Sequence, residues 1–239
     1  MTNPKLTVAI LVYNDVEALK HAIPKSVEIL NCLNISYEIL ITEDASTDGS
    51  YEVALDFSKD PHIRVNHSDM RRGKGGAIND ALEDSSGEIF CFYDVDLSTD
   101  LRSLEELITN IQNGADIAIG SRLAPGSQVN RKGGRNTASI IYNKFVRIIL
   151  KSKIQDHQCG FKAFNKERLK KIMPYISAKK WTWDTEVLAL GQKWGYKIIE
   201  IPVVWTQTGK TNLCFHDVLD MGWSVLKFAV KIRSFPDKI

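Results

Sequence analysis

Asp94 and Asp96 stand one residue apart at the end of the run Ile89-Phe90-Cys91-Phe92-Tyr93. Five consecutive apolar or aromatic residues read as a strand buried on both faces. Two carboxylates do not fit inside such a strand without partners, so they belong at its exposed carboxyl end. That is the edge at which open parallel α/β sheets hold ligands. Alternate residues of an extended chain point to one side, so both carboxylates can reach one hard divalent cation, Mg2+ or Mn2+, of the kind that also holds phosphate oxygens. The same D-x-D fits a plain strand-to-loop turn in which aspartate supplies an Asx turn or a helix N-cap.

Other polar clusters recur at what the pattern makes successive strand ends. The β-branched run Leu6 to Val12 stops at Tyr13-Asn14-Asp15, and Leu19, Ile23, Val27 and Leu30 then follow a helical period that Asn14 or Asp15 would cap. Tyr37 to Thr42 is a second strand, running into the acidic loop Glu43-Asp44-Ala45-Ser46-Thr47-Asp48-Gly49-Ser50. A short strand, His62 to Asn66, precedes Arg71-Arg72-Gly73-Lys74-Gly75-Gly76-Ala77, which opens a helix from Ala77 to Glu83. Its spacing is neither that of a P-loop nor that of a dinucleotide fingerprint. Its glycines let backbone approach a ligand, and Lys74 with the helix amino terminus favours negative charge; a surface turn with solvated arginines fits as well. A helix through Leu104, Leu107, Ile108 and Ile111 and a strand from Asp116 to Gly120 complete a strict alternation. It predicts an α/β fold with a doubly wound, mostly parallel sheet.

The second half is more cationic. Leu123 to Arg135 is a polar loop with Arg131, Lys132 and Arg135, long enough to suggest function. Ala138 to Ile154 reads as a helix interleaving Ile140, Ile141, Phe145, Ile148 and Ile149 with Lys144, Arg147, Lys151 and Lys153. Such a face suits an anionic membrane surface or an ordinary sheet-packing helix. His157, in a turn before the strand that ends at Phe164, has no second ligand at metal spacing and is expected to hydrogen-bond or stand exposed. Trp181-Thr182-Trp183-Asp184-Thr185-Glu186 opens a helix; Asp184 and Glu186 fit its capping and also fit orientation of an acceptor. Tyr196 to Trp205, interrupted by Pro202, reads as an edge strand, and Phe215 to Phe235 as a second amphipathic, cationic helix.

Bulk properties exclude little but do exclude something. A net charge of +2 over 239 residues argues against a general nucleic-acid binder. Four separated cysteines without C-x-x-C suggest buried free thiols in a reducing compartment. The polar amino terminus is not expected to act as a signal peptide, and no apolar run in this sequence is long enough to span a bilayer.

Taken in order, these motifs resemble the inverting GT-A glycosyltransferases over nearly the whole chain. Gly120-Ser121-Arg122, Asp156 to Lys162 with Gln158-Cys159-Gly160, Trp183-Asp184-Thr185-Glu186 and Gly195-Tyr196-Lys197-Ile198 are similar to the dolichyl-phosphate glycosyltransferases, especially the glucosyltransferase type. The resemblance implies one GT-A domain over 1–239, with a Rossmann-like nucleotide-sugar half (1–122) and an acceptor half (123–239). Its implied donor is a UDP-sugar, its acceptor dolichyl or another polyprenyl phosphate, its metal Mg or Mn, and its product a lipid-linked sugar for N-glycan assembly. Tyr13, Asn14, Asp15, Asp44, Asp48 and Lys74 would surround the nucleotide, and Asp94 and Asp96 the metal. Arg122, Arg131, Arg135, Ser139 and Lys210 would receive the acceptor phosphate, with Gln158, Asp184 and Glu186 as acceptor contacts or bases. Two departures stand out: Ala45 replaces a common glycine, and Ser98 stands where related mannosyltransferases carry Gln. With neither anchor nor spans, the chain is expected to be a short archaeal type, peripheral on the cytoplasmic face of the membrane. Use of GDP-mannose, a soluble hydroxyl acceptor, or nucleotide-sugar binding without turnover are the alternatives.

Overall fold

The computed structural model describes residues 4–130, 135–208 and 215–238. The first half alternates as the pattern requires: β1 (Leu6–Val12), α1 (Val16–Cys32), β2 (Tyr37–Asp44), α2 (Ser50–Phe57), β3 (Ile63–Ser68), α3 (Lys74–Asp84), β4 (Ile89–Asp94), α4 (Leu104–Gln112) and β5 (Ile117–Ser121). There follow β6 (Gln128–Asn130), α5 (Arg135–Leu150), β7 (Phe161–Asn165), α6 (Lys166–Ile172), α7 (Trp183–Lys193), β8 (Ile198–Pro202), β9 (Val204–Thr206) and α8 (Phe215–Lys231).

Seven strands form one sheet in the order β3-β2-β1-β4-β7-β5-β8, parallel except for β7, which runs antiparallel between β4 and β5. Alternate residues of the strands feed two apolar layers. Val8, Ile10, Cys91 and Tyr93 pack on one side with Leu19 and Ile23 of α1 and Leu104 and Leu107 of α4. Ala9, Phe90 and Phe92 pack on the other with Ile78 of α3, Val187 and Leu190 of α7 and Phe228 of α8. The chain leaves β1 toward β2 and β3 and then returns to its other side at β4. The crevice above β1 and β4 is therefore a topological switch point.

Several expectations shift. Glu43 and Asp44 are the last two residues of β2 and buried, not part of a loop. Lys74 is the first residue of α3, so Gly75 and Gly76 lie inside the helix; Gly75 leaves room for Trp183 of α7, which a Cβ would approach to 2.7 Å. The polar stretch after Arg122 contains β6, paired in parallel with β9, and the strand broken by Pro202 is two strands, β8 at the sheet edge and β9 in this small second sheet. Sequence periodicity does not reveal three-residue strands.

Candidate active site

Asp94 closes β4 and is half exposed, and Lys74 Nζ reaches over from the start of α3 to both its oxygens, at 2.8 and 3.1 Å. Gly160 makes this approach possible: a Cβ there would lie 2.0 Å from Asp94 Oδ2 and 2.8 Å from Lys74 Nζ. Burial pulls the Lys74 ammonium toward neutrality, but Asp94 and Asp184 outweigh it and raise its pKa. Asp96 takes two hydrogen bonds from Ser98, from the amide to Oδ1 at 3.0 Å and from the hydroxyl to Oδ2 at 2.7 Å. Its pKa is nevertheless raised, by burial first and by the charge of Asp94 second. The two carboxylates are thus close enough to repel, and a cation beside them would relieve both effects. Among the described residues no three Asp, Glu, His or Cys side chains converge on a metal position. Two carboxylates fit Mg2+ or Mn2+, which commonly binds through one or two protein carboxylates with water and substrate phosphates completing the shell.

The ends of β1 and β2 are joined by side chains. Asn14 Oδ1 accepts from the Thr47 amide at 2.7 Å, and Asp48 accepts from the Val16 amide at 2.9 Å and from the Ser50 hydroxyl at 2.6 Å. Asp15 caps α1 through the Ala18 amide at 3.3 Å. Asp48 is therefore a brace between the two loops; burial is the largest single influence and would raise its pKa, but the hydrogen bonds from Ser50 and Val16 together outweigh it and lower it. Asp44 accepts from the Arg72 and Gly73 amides at 2.7 and 3.0 Å and pairs with Arg71 at 3.1 Å. The Arg71 guanidinium lies 3.0 Å from the Tyr13 ring centroid, and Arg72 also bonds Asn66 and Asp80. Arg72 is an organised part of this crevice rather than a solvated turn residue, whereas Arg71 is tied to Asp44 and Tyr13 yet keeps much of its side chain in solvent; their chemistry is visible in the sequence, their direction is not. Asn14, Ala45 and Leu97, within three residues of the ends of β1, β2 and β4, all have positive φ, at 49°, 60° and 47°. Strain of this kind in non-glycine residues gathers at functional crevices.

Lys162 is fully buried as the second residue of β7, with its Nζ 2.7 Å from Asp184 Oδ1. Its aligned hydrogen bond goes instead to the Cys159 carbonyl, so that Asp184 oxygen is matched in charge but lacks hydrogen-bond geometry. Asp184 is an ion-pair partner, not a cap. A lysine inside the run Phe161-Lys162-Ala163-Phe164 is itself the signal, in the sequence, of a need for a buried acid partner. Glu186 accepts from the amides of Ser177 and Ala178 at 2.8 and 3.1 Å, and burial raises its pKa. Gln158 donates to the Trp181 carbonyl at 3.0 Å. Arg122 was expected to face an acceptor phosphate, but its guanidinium grips buried Asp156 at 2.6 and 2.7 Å. Burial opposes that carboxylate's charge, yet Arg122 prevails and holds its pKa at about 2. Ser139 lies half-buried on α5; Arg135 opens α5 with its side chain outside the described residues, and Arg131 and Lys210 lie outside them altogether. The open groove between α1 and α2, lined by Ile23, Pro24 and Phe57, reaches Ile63 at the amino end of β3 and is remote from this chemistry.

A mostly parallel sheet with one antiparallel strand, acids at the switch point and a lysine beside them define a GT-A nucleotide-sugar fold. In solved structures the same fold is found in glucosyl-3-phosphoglycerate synthase from Mycobacterium tuberculosis in complex with UDP, with a TM-score of 0.71 at 16% identity over 98% of this chain and 81% of that one. The same enzyme has been crystallised with Mn2+ and UDP. Residues 7–173 match glycosyl transferase family 2, and the chain belongs to that family. Glycosyltransferase AglD of Haloferax volcanii is 36% identical over 93% of this chain but only 36% of its own length. A dolichyl-phosphate beta-glucosyltransferase of Trichomonas vaginalis is 28% identical over 83% of this chain and 61% of its own length. That of Dictyostelium discoideum is 30% identical over 97% and 74%. The chain thus spans about a third of the first of these relatives and less than two thirds of the second.

Proposed function

We propose that the chain transfers a sugar from a UDP-sugar to dolichyl phosphate or a related polyprenyl phosphate, giving a β-linked lipid phosphosugar for glycan assembly. The observation that carries this reading is the pair Asp94 and Asp96 at the β1/β4 switch point, with Lys74 on Asp94. UDP in the structural relative and the dolichyl-phosphate acceptor of the sequence relatives support it. Asp94 and Asp96 would hold Mg2+ or Mn2+, which when bound offsets charge on the departing diphosphate. Lys74 adds a second positive charge to the same place, and Tyr13, Asn14 and Asp44 border the nucleoside side of the crevice, where Arg71 lies on Tyr13. An acceptor phosphate is already an anionic nucleophile, so it needs cations more than a base. Arg135, Arg131, Lys210 and Ser139 are assigned that role, while Arg122 is committed to Asp156. In-line attack would invert an α-linked donor.

A hydroxyl acceptor would require Asp184 or Glu186 as base. Asp184 is buried against Lys162 and Glu186 is turned to the 177–178 backbone, which favours the phosphate acceptor. Residues 1–122 serve the donor on this reading and 123–239 the acceptor, with α5 and α8 at the cytoplasmic face of a membrane. Among the described residues no helix is long and apolar enough to cross one. The test incubates purified protein with Mn2+, dolichyl phosphate and, in turn, UDP-glucose, UDP-N-acetylglucosamine and GDP-mannose, following label into the organic phase. Metal-dependent label from a UDP-sugar is expected. Label from GDP-mannose alone would replace the donor, and none from any donor by a UDP-binding protein would overturn the lipid acceptor.

A further inference from the structure

The small sheet β6–β9 is fastened to the loop that carries Asp96. The Asp100 amide donates to the Val204 carbonyl at 2.9 Å, the Thr206 amide to the Ser98 carbonyl at 2.8 Å, and Thr99 forms a bridge with Trp205. The Gln207 amide returns to Asn130 of β6 at 3.0 Å. One residue further, the Thr208 hydroxyl has two acceptors on the same loop, the Asp96 carbonyl at 2.8 Å and Ser98 Oγ at 2.9 Å. Ser98 in turn gives its amide to one Asp96 oxygen and its hydroxyl to the other. Both oxygens of one carboxylate are thereby aimed by one serine, and that serine and the aspartate backbone are held by one threonine from the other half of the chain.

We propose that Ser98 and Thr208 are positioning residues for the divalent cation, Ser98 aiming the Asp96 carboxylate and Thr208 tying its aim to the β6–β9 sheet. This rests on the assignment of Asp96 as a cation ligand. A short serine hydroxyl already turned onto Asp96 acts through that carboxylate, and a threonine whose proton can pass to Ser98 Oγ strengthens the Ser98 to Asp96 bond. Partners that orient a ligating carboxylate typically alter metal affinity about 10- to 100-fold when removed.

The measurement is Mn2+ affinity of the purified full chain, read as loss of the free-ion EPR signal, beside UDP affinity in EDTA and thermal stability. Asp96→Asn is expected to abolish high-affinity Mn2+ binding, and Ser98→Ala and Thr208→Val to weaken it about tenfold. Thr208→Ser, which keeps the hydroxyl, is expected to restore it, with UDP affinity and melting temperature unchanged in all. Wild-type Mn2+ affinity in Asp96→Asn would remove the cation assignment beneath the proposal. Loss in Asp96→Asn with wild-type affinity in Thr208→Val would overturn the proposal alone, as would a parallel fall of UDP affinity and melting temperature in Thr208→Val, the mark of a merely structural strap.

Discussion

Ala45 shows how a single residue records the demands of the site. It sits directly after β2 with φ at 60°, a conformation that disfavours a side chain and leaves glycine unpenalised. Ala45→Gly is therefore expected to raise stability by about 1 kcal/mol even though glycine loosens the unfolded chain, as measured by urea denaturation. Gly160 poses the converse case. Its own φ is unexceptional, so alanine meets no backbone penalty, but the new Cβ would strike Asp94 Oδ2 and crowd Lys74 Nζ. Gly160→Ala is expected to lower kcat on the order of 100-fold by separating that pair, a loss of roughly 3 kcal/mol in transition-state stabilisation, while the melting temperature moves by only a few degrees. A fully active Gly160→Ala enzyme would show that the contact between Lys74 and Asp94 is dispensable.

At the scale of elements, the turn between α5 and β7 is held by a buried polar network rather than by apolar packing. His157 is fully buried, its ring bonded to Ser152 Oγ at 2.8 Å and to Asn143 Oδ1 of α5 at 3.1 Å. Burial first, and the positive charge of Lys162 second, lower its pKa to about 4. An unfolded histidine titrates near 6.5. Below that pH the unfolded chain takes up a proton that the folded chain refuses, so stability is complete above about 6.5 and falls until the pH passes about 4, by roughly 3 kcal/mol. Asp156, depressed to about 2, acts with the same sign at lower pH. His157→Gln is expected to flatten the decline in melting temperature between pH 6.5 and 4, although its starting stability is lower. Most of the elements behind this network were legible in the sequence. The runs Leu6–Val12 and Ile89–Tyr93 and the period of Leu104, Leu107, Ile108 and Ile111 each favour one structure, and their alternation restricts the topology. The strand ends that gather Asn14, Asp44, Lys74 and Asp94 followed from it. The partners did not: the turn of Arg122 toward Asp156, Lys162 toward Asp184 and Thr208 toward Asp96 depends on residues 34, 22 and 112 positions apart. No local pattern encodes such pairings.

For the whole molecule, the feature with the widest consequence is an apolar surface that the sheet does not use. α5 and α8 pack against one another, and each keeps aliphatic or aromatic side chains in solvent: Ile140, Ile141 and Ile148 on the first, Leu219, Trp223 and Val230 on the second. Isolated exposed residues of this kind are ordinary, but their recurrence on two neighbouring helices together with Lys144, Arg147, Lys227 and Lys231 is not. The arrangement suits the interface of an anionic bilayer, with the rings and aliphatic chains among the acyl groups and the cations at the headgroups. Full burial of an Ile or Trp side chain is worth roughly 1.5–3 kcal/mol. Ile141 and Trp223 are each already about two-fifths covered, at 62% and 60% exposed, so each can contribute only part of that. Joint replacement by aspartate also places two negative charges against an anionic surface. The double variant Ile141→Asp, Trp223→Asp is expected to lose on the order of 100-fold in partitioning to vesicles of phosphatidylcholine and phosphatidylglycerol, roughly 3 kcal/mol, with unchanged UDP binding. Wild-type partitioning is expected to fall as salt is raised, because the cationic contribution is screened within a Debye length. If turnover takes place on a lipid phosphate at that surface, the same variant should lose activity on vesicle-borne dolichyl phosphate and keep it on a short, water-soluble prenyl phosphate. Equal loss on both acceptors would place the defect in the catalytic crevice, and equal retention would mean that the two helices face something other than the membrane.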